Sequence, residues 1–461
     1  MKFKIENIGP ICSAEIDVDG ITIIAGENNR GKSTVGKVIY AVLHDMYRWD
    51  EKYEKETSER YFELLAECSI ELETWCLMKT GRTRAARAKT KSLQKHYATS
   101  ERLHLAIEDF QINNGIDRGE KLRVIFREYC NQFIALYFNT PIIDSSEMVK
   151  KVVDKMIESA ENIQTDEVFV QMNNISTQLD RVFQKQYRRI NTKQSKIEIM
   201  DDYSRNTTLS FLDNTQIMDQ AILTFKQAYM IETSEIIDLM NEKPAEASSK
   251  LYLQFLMRPN VLTDKVKYIV TDQDTYENYD SGIEFIKGKL SETIGGGIEY
   301  HKKDGVRFKE KETGNSILPA NLSKGVKSLS VIEYALRLKA FKDGDIIILD
   351  EPEINLHPEW QIIFAETIVQ LAKEKSLNFI ITSHSPYFIR AIECYSDIMG
   401  IMDKLNVYRA RIKNNGDSED NGVTMINVSY SEYGMSELYE EMSSQMEQLN
   451  EKIMKRDLDS Q

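Results

Sequence analysis

The chain has 461 residues, 41% of them hydrophobic and 29% charged, enough for roughly two to four domains with buried cores. Acidic residues outnumber basic ones by 73 to 59, which disfavours a body built to coat nucleic acid and leaves room only for local basic patches. No apolar run is long enough to span a bilayer and the start lacks a signal-peptide core. Five cysteines without a Cys-x-x-Cys pair disfavour a disulfide scaffold or zinc hook, so a reduced, cytoplasmic chain is expected.

Residues 2–25 read as three short strands, the last of them the largely apolar stretch 21–25. Directly after it comes Gly26-Glu27-Asn28-Asn29-Arg30-Gly31-Lys32-Ser33, then Thr34 and a helical stretch over 35–43. Strand, G-x-x-x-x-G-K-S loop and helix are the order a phosphate cradle requires. Glycines let the backbone curl so that successive N–H groups face phosphate oxygens, and the helix N-terminus adds partial positive charge. The candidate binding residues are Gly26, Asn28, Asn29, Arg30, Gly31, Lys32, Ser33 and Thr34. Lys32 reaches for the β and γ phosphates, and Ser33 offers a hydroxyl to Mg²⁺. The bland alternative is a glycine-rich turn before an ordinary helix.

Between residues 11 and 243 the only proline is Pro141, and 120–281 holds no glycine, so this stretch is expected to be helical. Val152, Val153, Met156, Ile157, Ala160 and Ile163 share one helical face. Val168, Met172, Ile175, Leu179 and Val182 alternate spacings of four and three and then fade at Gln186, too short for a free coiled coil. Residues 45–220 are therefore expected to form a compact helical insertion with a hairpin-like arm. It carries two basic clusters, Lys79 to Lys95 and Lys185 to Lys196. Each is either a solvated helix face or a contact for a nucleic-acid backbone. Trp49, Trp75 and Trp360 read as packing residues.

Further strands are expected at 227–231 and 267–270, with a glycine-rich hairpin around 295–297. A helix opens near Asn321-Leu322-Ser323-Lys324-Gly325-Val326 and runs to about 339. Ser323 and Gly325 at its start suit an anion, or serve as a plain N-cap. The apolar strand ending in Asp350 and Glu351 delivers two carboxylates to the C-terminal edge of a parallel sheet, where ligands bind. Asp350 is placed to hold Mg²⁺ through water, and Glu351 to orient or deprotonate an attacking water. The next strand, over 377–383, ends at His384, whose imidazole is placed to donate to a γ-phosphate. The tail from 431 reads as helical.

These motifs, in this order, resemble an ABC-class ATPase head. Residues 26–33 resemble Walker A, and 322–326 the Leu-Ser-Gly-Gly-Gln signature, with Lys324 and Val326 as departures. Residues 345–351 resemble Walker B with its catalytic glutamate, 353–358 the D-loop, and His384 the switch histidine. More narrowly, Gly26-Glu27-Asn28-Asn29, Glu353-x-Asn355-Leu356-His357-Pro358 and Thr382-Ser383-His384-Ser385 are similar to the SMC/RecF/OLD-like branch of P-loop ATPases. That branch includes ATPases of bacterial anti-phage systems such as Septu. The long insertion argues against a transporter ATPase, and the stretch after His384 is too short for a Toprim nuclease fold.

The resemblance implies an α/β head with a mixed sheet and flanking helices, over residues 1–44 and 221–430. An all-helical insertion at 45–220 and a helical tail at 431–461 complete the expected chain. It implies ATP and Mg²⁺ as cofactors, with Lys32, Glu351 and His384 catalytic and Ser33 and Asp350 at the metal. Gln227 is the candidate Q-loop glutamine. Ser323 and Gly325 of one subunit would meet the γ-phosphate held by Lys32 of another, giving an ATP-sandwiched homodimer or higher homo-oligomer. The implied role is sensor or regulator of a separately encoded nuclease or toxin effector. The alternative is a DNA-binding repair ATPase of the RecF or SMC kind.

Overall fold

The structure, a computed structural model, describes residues 1–444 apart from 45, 47–48, 81–83, 113–118, 139–145, 162–166, 202, 213–214, 223, 225, 232–280, 302–304, 338–339, 413–421, 430 and 432. The chain divides into two compact units, one of residues 1–47 and 172–461 and the other of residues 48–171.

The larger unit opens with β1 (Lys2–Ile8), β2 (Ile11–Asp17) and β3 (Ile21–Ala25), and α1 (Lys32–Leu43) follows the phosphate loop. The smaller unit carries α2 (Trp49–Cys68), α3 (Ile70–Thr80), α4 (Arg84–Ala98), α5 (Glu101–Ile112), α6 (Glu120–Ala135) and α7 (Ser146–Glu161). The division between units falls within α8 (Glu167–Val182). The larger unit then resumes with β4 (Ser195–Met200), β5 (Asn206–Phe211), β6 (Gln216–Met218) and β7 (Ala228–Ile231). After these come α9 (Ser281–Thr293), β8 (Gly296–His301), β9 (Gly305–Glu310), β10 (Ser316–Ile317) and α10 (Lys324–Arg337). The rest is β11 (Ile346–Asp350), α11 (Pro358–Glu374), β12 (Asn378–Ser383), α12 (Pro386–Ile398), β13 (Leu405–Ile412), β14 (Val423–Asn427) and a helix over 434–444.

Eleven strands form one mixed sheet in the order β6-β5-β4-β1-β2-β14-β13-β3-β12-β11-β7. From β13 to β7 every neighbouring pair is parallel, and β6 through β2 are joined antiparallel. The side-chain pattern explains the split. All five residues of β3 and all six of β12 are buried, as strands covered on both faces must be. In β1 the buried residues alternate instead, Phe3 and Ile5 facing the core while Lys4 and Glu6 pair with each other outside. The glycines at 295–297 open β8 of the hairpin expected there: β8, β9 and β10 form a separate antiparallel sheet. Among the described residues no helix is long and apolar enough to cross a membrane.

One expectation about the elements needs correcting. Residues 195–218 lie inside the stretch expected to be helical, yet they form β4 to β6 and extend the sheet beyond β1. Lack of glycine and proline does not choose helix over strand. The period-2 burial of Ile197 and Ile199, and of Thr207, Leu209 and Phe211, does. Three residues of the second basic cluster are engaged within the larger unit, while Lys185 and Lys193 are exposed. Arg188 donates to the Leu212 carbonyl (3.0 Å), Arg189 to the Pro10 carbonyl (2.8 Å), and Lys196 pairs with Glu198. In the first cluster Lys79, Lys89, Lys91 and Lys95 are exposed, whereas Arg82 lies outside the described residues, as does the strand expected at 267–270.

The smaller unit has its own core. Tyr61, Phe126, Tyr129, Phe133 and Tyr137 are buried in it, with Tyr97 edge-on to Tyr129 and the Tyr129 hydroxyl 2.7 Å from Ser69 Oγ. Val152, Val153, Met156, Ile157 and Ala160 line the buried face of α7, as their spacing predicts, while Ile163 is outside the described residues. None of the five cysteines is disulfide-bonded, and burial pushes the Cys76 and Cys130 thiols up to about 12, leaving them unreactive.

Candidate functional site

The site stands where the parallel strands end. Ser383 of β12 is level with Ala25 of β3, and Thr382 is level with Asp350 of β11. Because β12 lies between β3 and β11, its polar end is interposed between the phosphate loop and the carboxylates. The loop curls through Gly26 (φ 143°), Asn29 (φ 62°) and Gly31 (φ 68°). A Cβ on Gly31 would come within 2.8 Å of Pro10 Cγ, so glycine is required there twice over. Behind the loop, Gly36 of α1 lets the helix close on β11, where an added Cβ would come 2.9 Å from Ile348.

Lys32 is 4% exposed, and its ammonium donates to the carbonyls of Gly26 and Glu27, both at 2.9 Å. Burial lowers its pKa, against the opposing pull of Glu351, Asp350 and Glu353. Its Nζ lies 3.7 Å from Glu351 Oε1. The Ser33 hydroxyl donates to Asp350 Oδ1 at 2.7 Å, so the two residues expected at a metal are in direct contact. A hydroxyl and a carboxylate oxygen side by side are hard donors of the kind Mg²⁺ takes, and the pair fits that ion. Elsewhere in the loop, Arg30 pairs with Glu27, the Thr34 N–H donates to Gly31, and Asn28 and Asn29 are exposed.

Glu351 adopts φ 47°, a left-handed conformation rare for a side-chain-bearing residue. Its N–H is held by both the carbonyl and the hydroxyl of Thr382, at 3.1 and 3.0 Å. The turn aims its carboxylate at Lys32 and at His384, whose Nδ1 is 3.5 Å away. Thr382 also donates to Asp350 Oδ1, so one hydroxyl braces both acids. Glu353, 3% exposed, accepts from the Ser383 hydroxyl (2.6 Å) and the His384 N–H (3.1 Å), and burial pushes its carboxyl above the ordinary range.

The structure thus brings together Lys32, Ser33, Asp350, Glu351 and His384. Ser323 and Gly325 stand at the start of α10. Ser323 is exposed and accepts from Val326 N–H (3.3 Å) as the N-cap of α10. Gly325 is buried, and a Cβ there would come 2.8 Å from the Asn355 carbonyl, so the α10 start is packed against the turn after β11. Trp360 is part of that packing. Gln227 is not at the site. It precedes β7, level with Asp345 at the N-terminal edge of the sheet. There it donates to the carbonyls of His44 and Ala228, at 3.2 Å each, and its N–H to Asp345 Oδ1 at 3.1 Å.

Thr382 and Glu353 were not singled out as site residues. Their signal was visible in two places: polar residues abruptly ending an apolar strand, and a second acid two positions after Glu351.

No curated protein matches the chain. Among solved structures, the chain is similar to the SmcHead bound to the C-winged helix domain of ScpA, at 10% identity and a TM-score of 0.44, covering 93% of this chain and 97% of that one. It is also similar to the SMC head domain from Thermotoga maritima (10% identity, TM-score 0.35, covering 93% and 98%). A third is the Smc head domain with a coiled coil and joint from Pyrococcus yayanosii (12% identity, TM-score 0.35, covering 95% and 98%). The AAA ATPase domain family matches residues 1–389. With a phosphate loop and two acids at the edge of one parallel sheet, the chain belongs to that family and is a P-loop ATPase.

Proposed function

We propose that this chain is the ATP-driven regulator of a separately encoded nuclease or toxin in bacterial anti-phage defence, working in the cytoplasm as an ATP-sandwiched homodimer or higher homo-oligomer. The observation that carries the ATP-driven part is the convergence on Glu351: Lys32 Nζ at 3.7 Å and His384 Nδ1 at 3.5 Å. The loop N–H groups and Lys32 hold the β and γ phosphates of the substrate ATP. Ser33 and Asp350 hold Mg²⁺, which neutralises charge on those phosphates when bound. Glu351 orients the attacking water and takes its proton, while His384 donates to the γ-phosphate oxygen. The exposed Ser323 and the start of α10 from a second copy complete the site, so ATP joins two heads and hydrolysis parts them. The defence role draws its support from the loop and D-loop wording shared with the SMC/RecF/OLD-like branch, and residues 48–171 are proposed as the partner-binding unit.

A repair ATPase is the second reading, and the exposed Lys89, Lys91 and Lys95 of α4 favour it. One experiment separates the two: native mass determination of Glu351→Gln with ATP and Mg²⁺, co-expressed with neighbouring genes. The regulator reading expects an ATP-dependent multimer carrying a second protein with nuclease features. A dimer that forms alone and retains DNA overturns it in favour of repair.

A further inference from the structure

Glu353 is a buried acid with an unusual set of contacts. Its side chain is 3% exposed, and Oε2 has no hydrogen-bond partner although it is out of reach of water. Leaving a buried carboxylate oxygen unpaired costs stability, and an apolar residue of the same size would cost less. The other oxygen carries everything. Oε1 accepts the Ser383 hydroxyl at 2.6 Å and the His384 N–H at 3.1 Å, and lies 3.8 Å from His384 Nδ1. Ser383 Oγ accepts in turn from the Ser385 N–H at 3.1 Å, so the backbone is tied on both sides of the histidine.

The acid comes from a rigid turn. Glu351 and Asn355 both have positive φ, and the turn closes on itself through Ile354 N–H to the Glu351 carbonyl and Leu356 N–H to the Glu353 carbonyl, each 3.1 Å. One side chain therefore links the segment that follows β11 to the segment that follows β12.

We propose that Glu353 is the positioning residue of His384, fixing the backbone and imidazole of that histidine so that its ring nitrogen faces Glu351. This rests on the roles given above to Glu351 and His384. Glu353 itself touches no reacting atom in this scheme. It acts through the histidine, and its effect vanishes when the histidine is gone.

A double-mutant cycle on the full chain tests this, reading turnover and the affinity for a fluorescent ATP analogue separately. Glu353→Gln is expected to bind the analogue within about twofold of wild type and to lose about tenfold in kcat. In the His384→Ala background the same change is expected to cost nothing further. Equal losses in both backgrounds, or wild-type turnover by Glu353→Gln, overturns the proposal. Should Glu353→Gln fail to fold, Ser383→Ala removes the 2.6 Å bond from the other side and must show the same non-additivity. Glu351→Gln serves as the reference. If it still turns ATP over, the assignment of the site is wrong. If it is dead and only the cycle is additive, the role of Glu353 alone falls.

Discussion

Three acids in the larger unit are held above the ordinary carboxylate range by burial: Glu333, Asp345 and Glu353. Each answers burial differently. Glu333 pairs with Arg337 at 2.8 Å, Asp345 accepts the N–H groups of Lys342 and Gln227, and Glu353 serves His384. A carboxyl whose pKa is raised in the fold binds its proton more tightly there than in the unfolded chain. The fold therefore loses stability as pH rises from the ordinary range through the raised value, and the loss is complete above it. Glu333→Gln removes one such group. Its melting temperature relative to wild type should rise from pH 4 towards neutrality and then level off, as differential scanning calorimetry will read. A difference independent of pH would mean that Glu333 is ionised without penalty. At this scale Lys32, Ser33, Asp350 and Glu351, the residues proposed to meet phosphate or metal, were legible as a group because their types and spacing suit ligand chemistry. Thr382 and Glu353 were not, since their partners are brought in by strand register, which no local spacing encodes.

The elements were legible where one periodicity had no rival. The apolar run of β11 and the face of α7 are such cases, and His357 and Ser385 each cap the following helix with proline at its first turn. Strands β4 to β6 escaped because they are short and rich in polar side chains, so their alternation is lost inside a long breaker-free stretch. One link between elements is a further test. Arg409 of β13 is level with Ala25, the residue before the phosphate loop, and its side chain is 8% exposed. It pairs with Glu437 and Glu441 on the helix over 434–444. Arg409→Met keeps the apolar stem and removes the charge. Hydrogen exchange should show the amides of 434–444 losing protection about tenfold or more while β3 stays protected. Unchanged protection of that helix would leave the ion pairs without a holding role.

At the scale of the molecule, two units with separate cores share one chain, and the proposed ATP site belongs to the larger. The exposed Ser323 at the start of α10 is the feature that looks outward. Replacing it with a bulky cation, Ser323→Arg, should leave Mg²⁺-ATP affinity within about twofold and abolish ATP-dependent dimerisation of the Glu351→Gln protein. Sedimentation velocity with and without ATP reads this directly. Dimers that persist in Ser323→Arg would exclude the start of α10 from the subunit contact.

The order of strands in the large sheet has a consequence for how the protein is made. Gly20, at the head of β3, is bonded to Asn378, at the head of β12, across 358 positions of sequence. Both sheet neighbours of β3, β12 and β13, are synthesised after residue 377. At about 5–20 residues per second, β3 waits roughly 20–70 s on the ribosome with its apolar residues and both edges unpaired. During that interval β1 and β2 can already zip together as a local hairpin, and the smaller unit can form its own core. The strand that carries the phosphate loop gains its sheet neighbours only after residue 377 has been made. The head is therefore a slow, high-contact-order fold, and its most vulnerable moment comes during translation, before any nucleotide is bound.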